Sequence, residues 1–219
     1  MTTLTLGIFA TSGKENEKRV PVHPRHFDRI DADLRAAMLV ESGYGLSFGV
    51  SDAELVPQVG GVVQRDELIE RSDIVLLPKP TLPDVQALRD GQVLWGWPHC
   101  VQDTELTQLA IDKRLTLIAW EAMHFWDGGG VQGTHVFHRN NEIAGYASVL
   151  HAMTLMGTSG VYGRRLSAAV LGYGNTARGA ITALQSLGVL DVVALTKREV
   201  TSVSAPMPSV ILGHIERTS

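Results

Sequence analysis

Residues 166–195 constrain the fold more than any other stretch of the chain. Leu166-Ser167-Ala168-Ala169-Val170-Leu171 reads as a buried-type strand, and Gly172-Tyr173-Gly174-Asn175-Thr176-Ala177-Arg178-Gly179 follows at once. A helical stretch runs on to Leu187, Gly188 stops it, and Val192-Val193-Ala194-Leu195 is the next strand. Strand, glycine loop, helix and strand within about 30 residues make the βαβ unit of dinucleotide-binding folds. Gly172 permits the tight turn, Gly174 lets a pyrophosphate approach the backbone, and the small Ala177 allows close helix–strand contact. Asn175 and Thr176 open the helix, whose N-terminus supplies the positive end of its dipole. Glycines in this spacing also close ordinary turns; the flanking strands and helix are what point to a nucleotide.

The choice of nucleotide follows from the residues around the second strand. An NAD-binding unit wants an acid at the carboxyl end of that strand, to accept from the ribose hydroxyls. Asp191 precedes the apolar run and so belongs at the opposite end, whereas Thr196, Lys197 and Arg198 come after it. Two cations and a hydroxyl suit a 2′-phosphate, so NADP(H) is expected ahead of NAD(H). A solvated strand end is the alternative reading of Lys197 and Arg198.

Upstream, short apolar runs alternate with amphipathic stretches, the rhythm of an α/β protein. Strands are expected over residues 4–10, 46–50, 62–63, 73–77, 92–96 and 115–119. Helices are expected over 23–42, 52–58 (capped by Ser51), 65–71, 103–112 (capped by Asp103) and 140–156. Residues 126–130 (WDGGG) form a turn, and 200–219 read as loop. The expected architecture is α/β, with two Rossmann-like lobes of parallel sheet flanked by helices, the second lobe incomplete. The expected division is a substrate domain over 1–140, a connecting helix over 141–160 and a partial dinucleotide-binding domain over 161–219.

Composition narrows the function classes. With 44% hydrophobic residues among 219, the chain can bury a core. A net charge of −4, from 19 basic and 23 acidic residues, gives no electrostatic basis for nucleic-acid binding. The single cysteine, Cys100, rules out an internal disulfide and fits a reducing compartment. No apolar run reaches membrane-spanning length and the N-terminus lacks a leader pattern, so a cytoplasmic protein is expected. The histidines lack metal-ligand spacing, so no metal is expected.

Four polar groups each come just after an expected strand. Arg19 follows the first, in Lys14-Glu15-Asn16-Glu17-Lys18-Arg19-Val20-Pro21-Val22-His23-Pro24; Lys79 follows 73–77, His99 follows 92–96 and Glu121 follows 115–119. In parallel α/β sheets the carboxyl ends of strands converge on one crevice. Arg19 can hold a carboxylate bidentately, Lys79 can polarise a carbonyl, and His99 can exchange protons near neutral pH. Glu15 and Glu17 can orient the guanidinium or lie in solvent. Singly, Lys79 reads equally as surface, His99 as core and Glu121 as a helix cap; together they suit a keto or imino substrate bearing a carboxylate.

These residues, with Pro78-Lys79-Pro80, Trp97-Pro98-His99, Trp120-Glu121 and Asn141-Glu142-Ile143-Ala144-Gly145, resemble the alanine dehydrogenase/transhydrogenase N-terminal domain family. The resemblance implies an NAD(P)-dependent oxidoreductase acting on CH–NH bonds. Within the family, the start Gly7-Ile8-Phe9-Ala10 and the glycine loop resemble a branch that condenses pyruvate with the side-chain amine of ornithine or lysine, using NADPH. By the same resemblance Arg19 and Lys79 grip the 2-oxo acid and His99 is the acid/base, with Glu121 and Glu15 lining the substrate site. Its implied partners are a small 2-oxo acid and an amino acid, in a homo-oligomer. An alanine dehydrogenase using ammonia and NAD(H) is the alternative, and a non-catalytic binding or oligomerisation remnant is another.

Overall fold

A computed structural model describes residues 4–196 and 210–212. The chain divides into two compact units, Met1–Met123 and His124–Ser219.

In the first unit the strands are β1 (Leu6–Ile8), β2 (Met38–Glu41), β3 (Gly61–Val63), β4 (Ile74–Leu77), β5 (Val93–Gly96) and β6 (Thr116–Ala119). They form one sheet in the order β3-β2-β1-β4-β5-β6, with every pairing parallel. The helices are α1 (Ala32–Ala36), α2 (Asp52–Leu55), α3 (Arg65–Arg71), α4 (Leu82–Ala87) and α5 (Thr104–Asp112). Parallel strands need helical crossovers over the sheet, so the strands carry continuous apolar runs such as Ile74-Val75-Leu76-Leu77. Phe9, Leu39, Leu68, Val75, Leu77 and Leu94 are among the side chains that close the core. Each such burial is worth about 1.5–3 kcal/mol.

Asp103 caps α5 as expected, its carboxylate accepting from Leu106 N–H at 2.9 Å. Ser51 and Glu54 form the reciprocal capping box of α2.

Two expectations fail here. Residues 23–42 are not one helix: a 3-10 segment (Pro24–Arg29) and the five-residue α1 precede β2, which is the second strand. Met38-Leu39-Val40 are all buried, and a run buried on successive residues suits a central parallel strand rather than one helical face. Residues 46–50 are not a strand. Phe48 and Val50 N–H groups both bond to Gly45 O, at 2.9 and 3.0 Å, closing a tight turn through Gly49 at φ +67°.

The second unit contains β7 (His124–Trp126), β8 (Gln132–His135), α6 (His138–Met156), β9 (Ser167–Leu171), α7 (Asn175–Ser186), β10 (Asp191–Leu195) and β11 (Val210–Leu212). β10, β9 and β11 form a parallel sheet in that order, and β7 and β8 an antiparallel hairpin around the expected glycine turn. Most of 200–219 lies outside the described residues; Val210–Leu212, expected as loop, is a strand on β9. Gly157, at φ +61°, ends α6 in the left-handed conformation where glycine carries no steric penalty. Val149, Met153, Val170, Ala177, Ala180 and Leu184 form the second core. Among the described residues no helix is long and apolar enough to cross a membrane.

Candidate active site at four strand ends

β1, β4, β5 and β6 are consecutive in the first unit's sheet, so their carboxyl ends open side by side. The loop after β1 carries Arg19. Pro78-Lys79-Pro80 follows β4, Trp97-Pro98-His99 follows β5, and Glu121 lies in the 3-10 turn Trp120–Ala122 directly after β6. The side chains meet. Lys79 Nζ is in hydrogen-bond contact with His99 Nε2. Glu121 Oε1 accepts the His99 backbone N–H at 2.8 Å and lies 3.9 Å from His99 Nδ1. The Arg19 guanidinium stands 4.9 Å from the Trp97 ring centroid and the Lys79 ammonium 5.5 Å from that of the same side chain, so one indole holds two cations.

Local geometry explains the meeting. A Cβ on Gly96 would sit 1.9 Å from Leu77 O, so only glycine lets β5 press this closely on β4. Trp97 N–H then donates to Pro78 O at 3.0 Å, carrying the pairing one rung past the strands and setting Lys79 beside His99. Ser12 Oγ donates to Lys79 O, tying the loop after β1 to the loop after β4. Beneath them Arg65 donates to Glu41 Oε1 at 2.8 Å, to Asp84 Oδ1 at 3.2 Å and to Thr11 O at 2.6 Å. Asp84 Oδ2 accepts from Gly13 N–H and from Thr81 at the start of α4. Nothing in the sequence marks Arg65 or Asp84 as supports of the site, because their partners lie on other elements.

The partner of Arg19 is Glu17. Its carboxylate accepts from Arg19 Nε at 2.8 Å and from Nη2, a bidentate pair whose acid is almost wholly buried. The Arg19 guanidinium holds the Glu17 carboxyl below its ordinary range. Glu15 is exposed and accepts from Asn16 Nδ2 at 3.3 Å; the left-handed Asn16 (φ +60°) turns the chain between the two acids. Burial, then the charge of Arg19, push the Lys79 ammonium down; Glu17 and Glu121 oppose the shift. Burial, then the charge of Lys79, push His99 down, and Glu121 opposes. The site therefore favours a lysine and a histidine that give up protons more readily than in water.

In the second unit Gly172 takes φ +93°, and its N–H donates to Leu195 O at 2.8 Å. Gly174 caps the twelve-residue α7, opened by Asn175 and Thr176, with no acidic residue in the first turn. First-turn N–H groups have no partner within a helix, so this end fits the phosphates of a dinucleotide. Ala177 is buried against the sheet, as its size predicts. Asp191 pairs with Ser167 at the start of β9, away from Gly172. Lys197 and Arg198 lie outside the described residues. Gly145 and Gly179 have a role that the glycine-loop pattern does not indicate. A Cβ on Gly179 would stand 1.8 Å from Glu142 O, and one on Gly145 1.8 Å from Thr176 O, so α6 and α7 cross backbone to backbone. Glycines inside expected helices were the available signal.

Fold and constellation together define a parallel α/β protein that joins a strand-end Arg–Lys–His–Glu site to a second unit with a dinucleotide-type glycine loop. The family model "Alanine dehydrogenase/PNT, N-terminal domain" matches residues 10–144, and the chain belongs to that family. It is similar to N(5)-(carboxyethyl)ornithine synthase of Clostridium botulinum, 27% identical over 80% of this chain and 57% of the relative. It is also similar to alanine dehydrogenase of Methanococcus maripaludis, 26% identical over 62% of this chain and 36% of the relative. A solved L-alanine dehydrogenase shares the fold at a TM-score of 0.68 and 18% identity, over 95% of this chain and 60% of that one. The chain thus spans little more than half the length of the most extensive of these matches.

Proposed function

We propose that the chain is an NAD(P)-dependent oxidoreductase acting on CH–NH bonds, condensing pyruvate with the side-chain amine of ornithine or lysine at the expense of NADPH. The observation that carries this reading is the contact of Lys79 with His99 beside Arg19 and Glu121, at the ends of four adjacent strands. With Nε and one Nη2 hydrogen on Glu17, Arg19 offers its Nη1–Nη2 end to the oxo-acid carboxylate, and Lys79 donates to the carbonyl oxygen. His99 then takes the proton that the amine loses as its nitrogen attacks the carbonyl carbon and returns it to the oxygen. That oxygen leaves as water with a second proton from the Lys79 ammonium, leaving an iminium for reduction. A reduced nicotinamide dinucleotide, when bound, supplies the hydride. Gly172, Gly174, Asn175, Thr176 and Ala177 would hold its pyrophosphate, with Lys197 and Arg198 on a 2′-phosphate. The match to the carboxyethylornithine synthase supports this branch over alanine dehydrogenase by its wider coverage.

A binding or oligomerisation unit that does not turn over is the alternative reading. NADPH oxidation with pyruvate and ornithine or lysine tests the first, and its absence with either amine sinks it. Titration calorimetry tests the cofactor. NADPH is expected to bind at least about tenfold more tightly than NADH, the factor for one hydrogen bond to a charged group. Replacing both Lys197 and Arg198 by Ala should erase the difference; equal affinities in the native chain would remove the case for NADP(H).

A further inference from the structure

His99 is built in a conformation that non-glycine residues avoid. Its φ is +51°, in the left-handed region where a side chain crowds the backbone at a cost of about 1–2 kcal/mol. Such a residue persists only where its surroundings over-determine it. Here both flanking peptide groups are held: Glu121 Oε1 accepts the N–H at 2.8 Å, while Gln102 and Asp103 N–H donate to the carbonyl at 2.8 and 3.1 Å. The Gln102 and Asp103 bonds are local and belong to the start of α5. The Glu121 bond comes from a different strand end, 22 residues on, and is made by a charged side chain.

The same carboxylate oxygen also faces the ring, 3.9 Å from Nδ1. Nε2, on the other side, contacts Lys79 Nζ. A protonated Lys79 can only donate, so Nε2 must accept and the ring proton must sit on Nδ1, toward Glu121. Glu121 Oε2 is buried with no hydrogen-bond partner among the described residues, so the negative charge is directed to His99 rather than spread over other donors. The charged groups facing the imidazole are Lys79, Arg19 and Glu121, and of these only Glu121 favours its protonated form.

We infer that Glu121 is the positioning residue of the site, one carboxylate that holds the left-handed main chain of His99 and whose charge beside Nδ1 reinforces the ring tautomer, set by Lys79 at Nε2, that keeps the proton on Nδ1. The inference rests on the proposed function only in giving His99 a proton to carry. It is tested on the free 219-residue chain, with neither oxo acid nor amine, so its failure is distinct from an absence of turnover.

Nitrogen-detected NMR of His99 in the native chain should show the Nδ1–H tautomer; the Nε2–H tautomer would overturn the proposal whatever the variants do. Glu121→Gln keeps an acceptor for the backbone N–H but loses the charge. It should lower the His99 titration midpoint and reduce the excess of the Nδ1–H form. Glu121→Ala should in addition raise the exchange rate of the His99 amide by about tenfold or more. A merely structural role moves the melting temperature and leaves tautomer and midpoint alone, and that outcome with Glu121→Gln also rejects the proposal.

Discussion

Arg19 shows how far one side chain's neighbours set its role. Its sequence context is a run of charges, and only the buried Glu17 carboxylate and the Trp97 ring give its guanidinium a direction. Because the bidentate geometry needs a planar fork, Arg19→Lys should weaken oxo-acid binding by about 10-fold or more although the charge is kept. Arg19→Ala should abolish the binding; calorimetry with pyruvate reads both, and an unchanged affinity in Arg19→Ala would exclude it as the carboxylate clamp. Lys79 carries the opposite liability. Its ammonium is pushed down mainly by burial, so the folded state holds that proton less well than the unfolded chain. The penalty is full below the folded midpoint and fades as pH rises toward the ordinary value of 10.5. Lys79→Met should therefore raise the melting temperature at neutral pH while removing turnover, a trade expected where a site is built at the expense of stability. His99 is also depressed, so the native fold should lose stability as pH falls below 6.5, and His99→Asn should flatten that limb of a pH–melting profile.

At the scale of elements, the α6–α7 crossing is the most exacting contact. Gly179 and Gly145 face main-chain atoms that cannot swing aside. Gly179→Ala should destabilise the second unit by about 1–3 kcal/mol, the range for overpacking, whereas an alanine at an exposed helix position would stabilise. Thermal melting of the two substitutions, Gly179→Ala and Gly128→Ala at the open turn before β8, would separate crowding from a general effect of removing glycine. The sequence is readable wherever an element's own residues decide it. The buried run of β4, the capped helices α2 and α5, and the turn of β7 and β8 are cases. It misleads where tertiary packing decides: Met38-Leu39-Val40 follow the helical Ala36 with no glycine or proline between, so a strand there is invisible until β1 and β3 flank it. The expected turn at WDGGG carries hairpin strands on both sides, for which the aromatic and polar runs flanking a glycine turn are the signal in the sequence. Lys79, His99 and Glu121 are readable for the opposite reason, since a polar residue within three positions of the end of an apolar strand has few places to go, whereas Arg19 lies eleven residues past β1. What could not be read is how they are joined: Glu17 rather than Glu15, and Glu121 on the main chain of its neighbour.

At the scale of the molecule, the match to the alanine dehydrogenase/PNT N-terminal family covers residues 10–144, most of it the first unit, while the glycine loop lies in the second. The sheet order of the first unit has a kinetic consequence. β1 pairs with β4 across 68 residues, and Lys79, His99 and Glu121 meet across 20 or more residues of chain. High contact order of this kind makes folding slow and places completion of the site at its end. β6 is the last strand of the sheet and presents alternate residues to solvent, whereas β1 and β4 are interior. Native-state hydrogen exchange should accordingly find β6 opening at lower free energy than β1 and β4. Uniform protection across the sheet would contradict this. Since Glu121 leaves with β6, the grip on His99 should be the first part of the site to let go in mild denaturant, before the sheet as a whole unfolds.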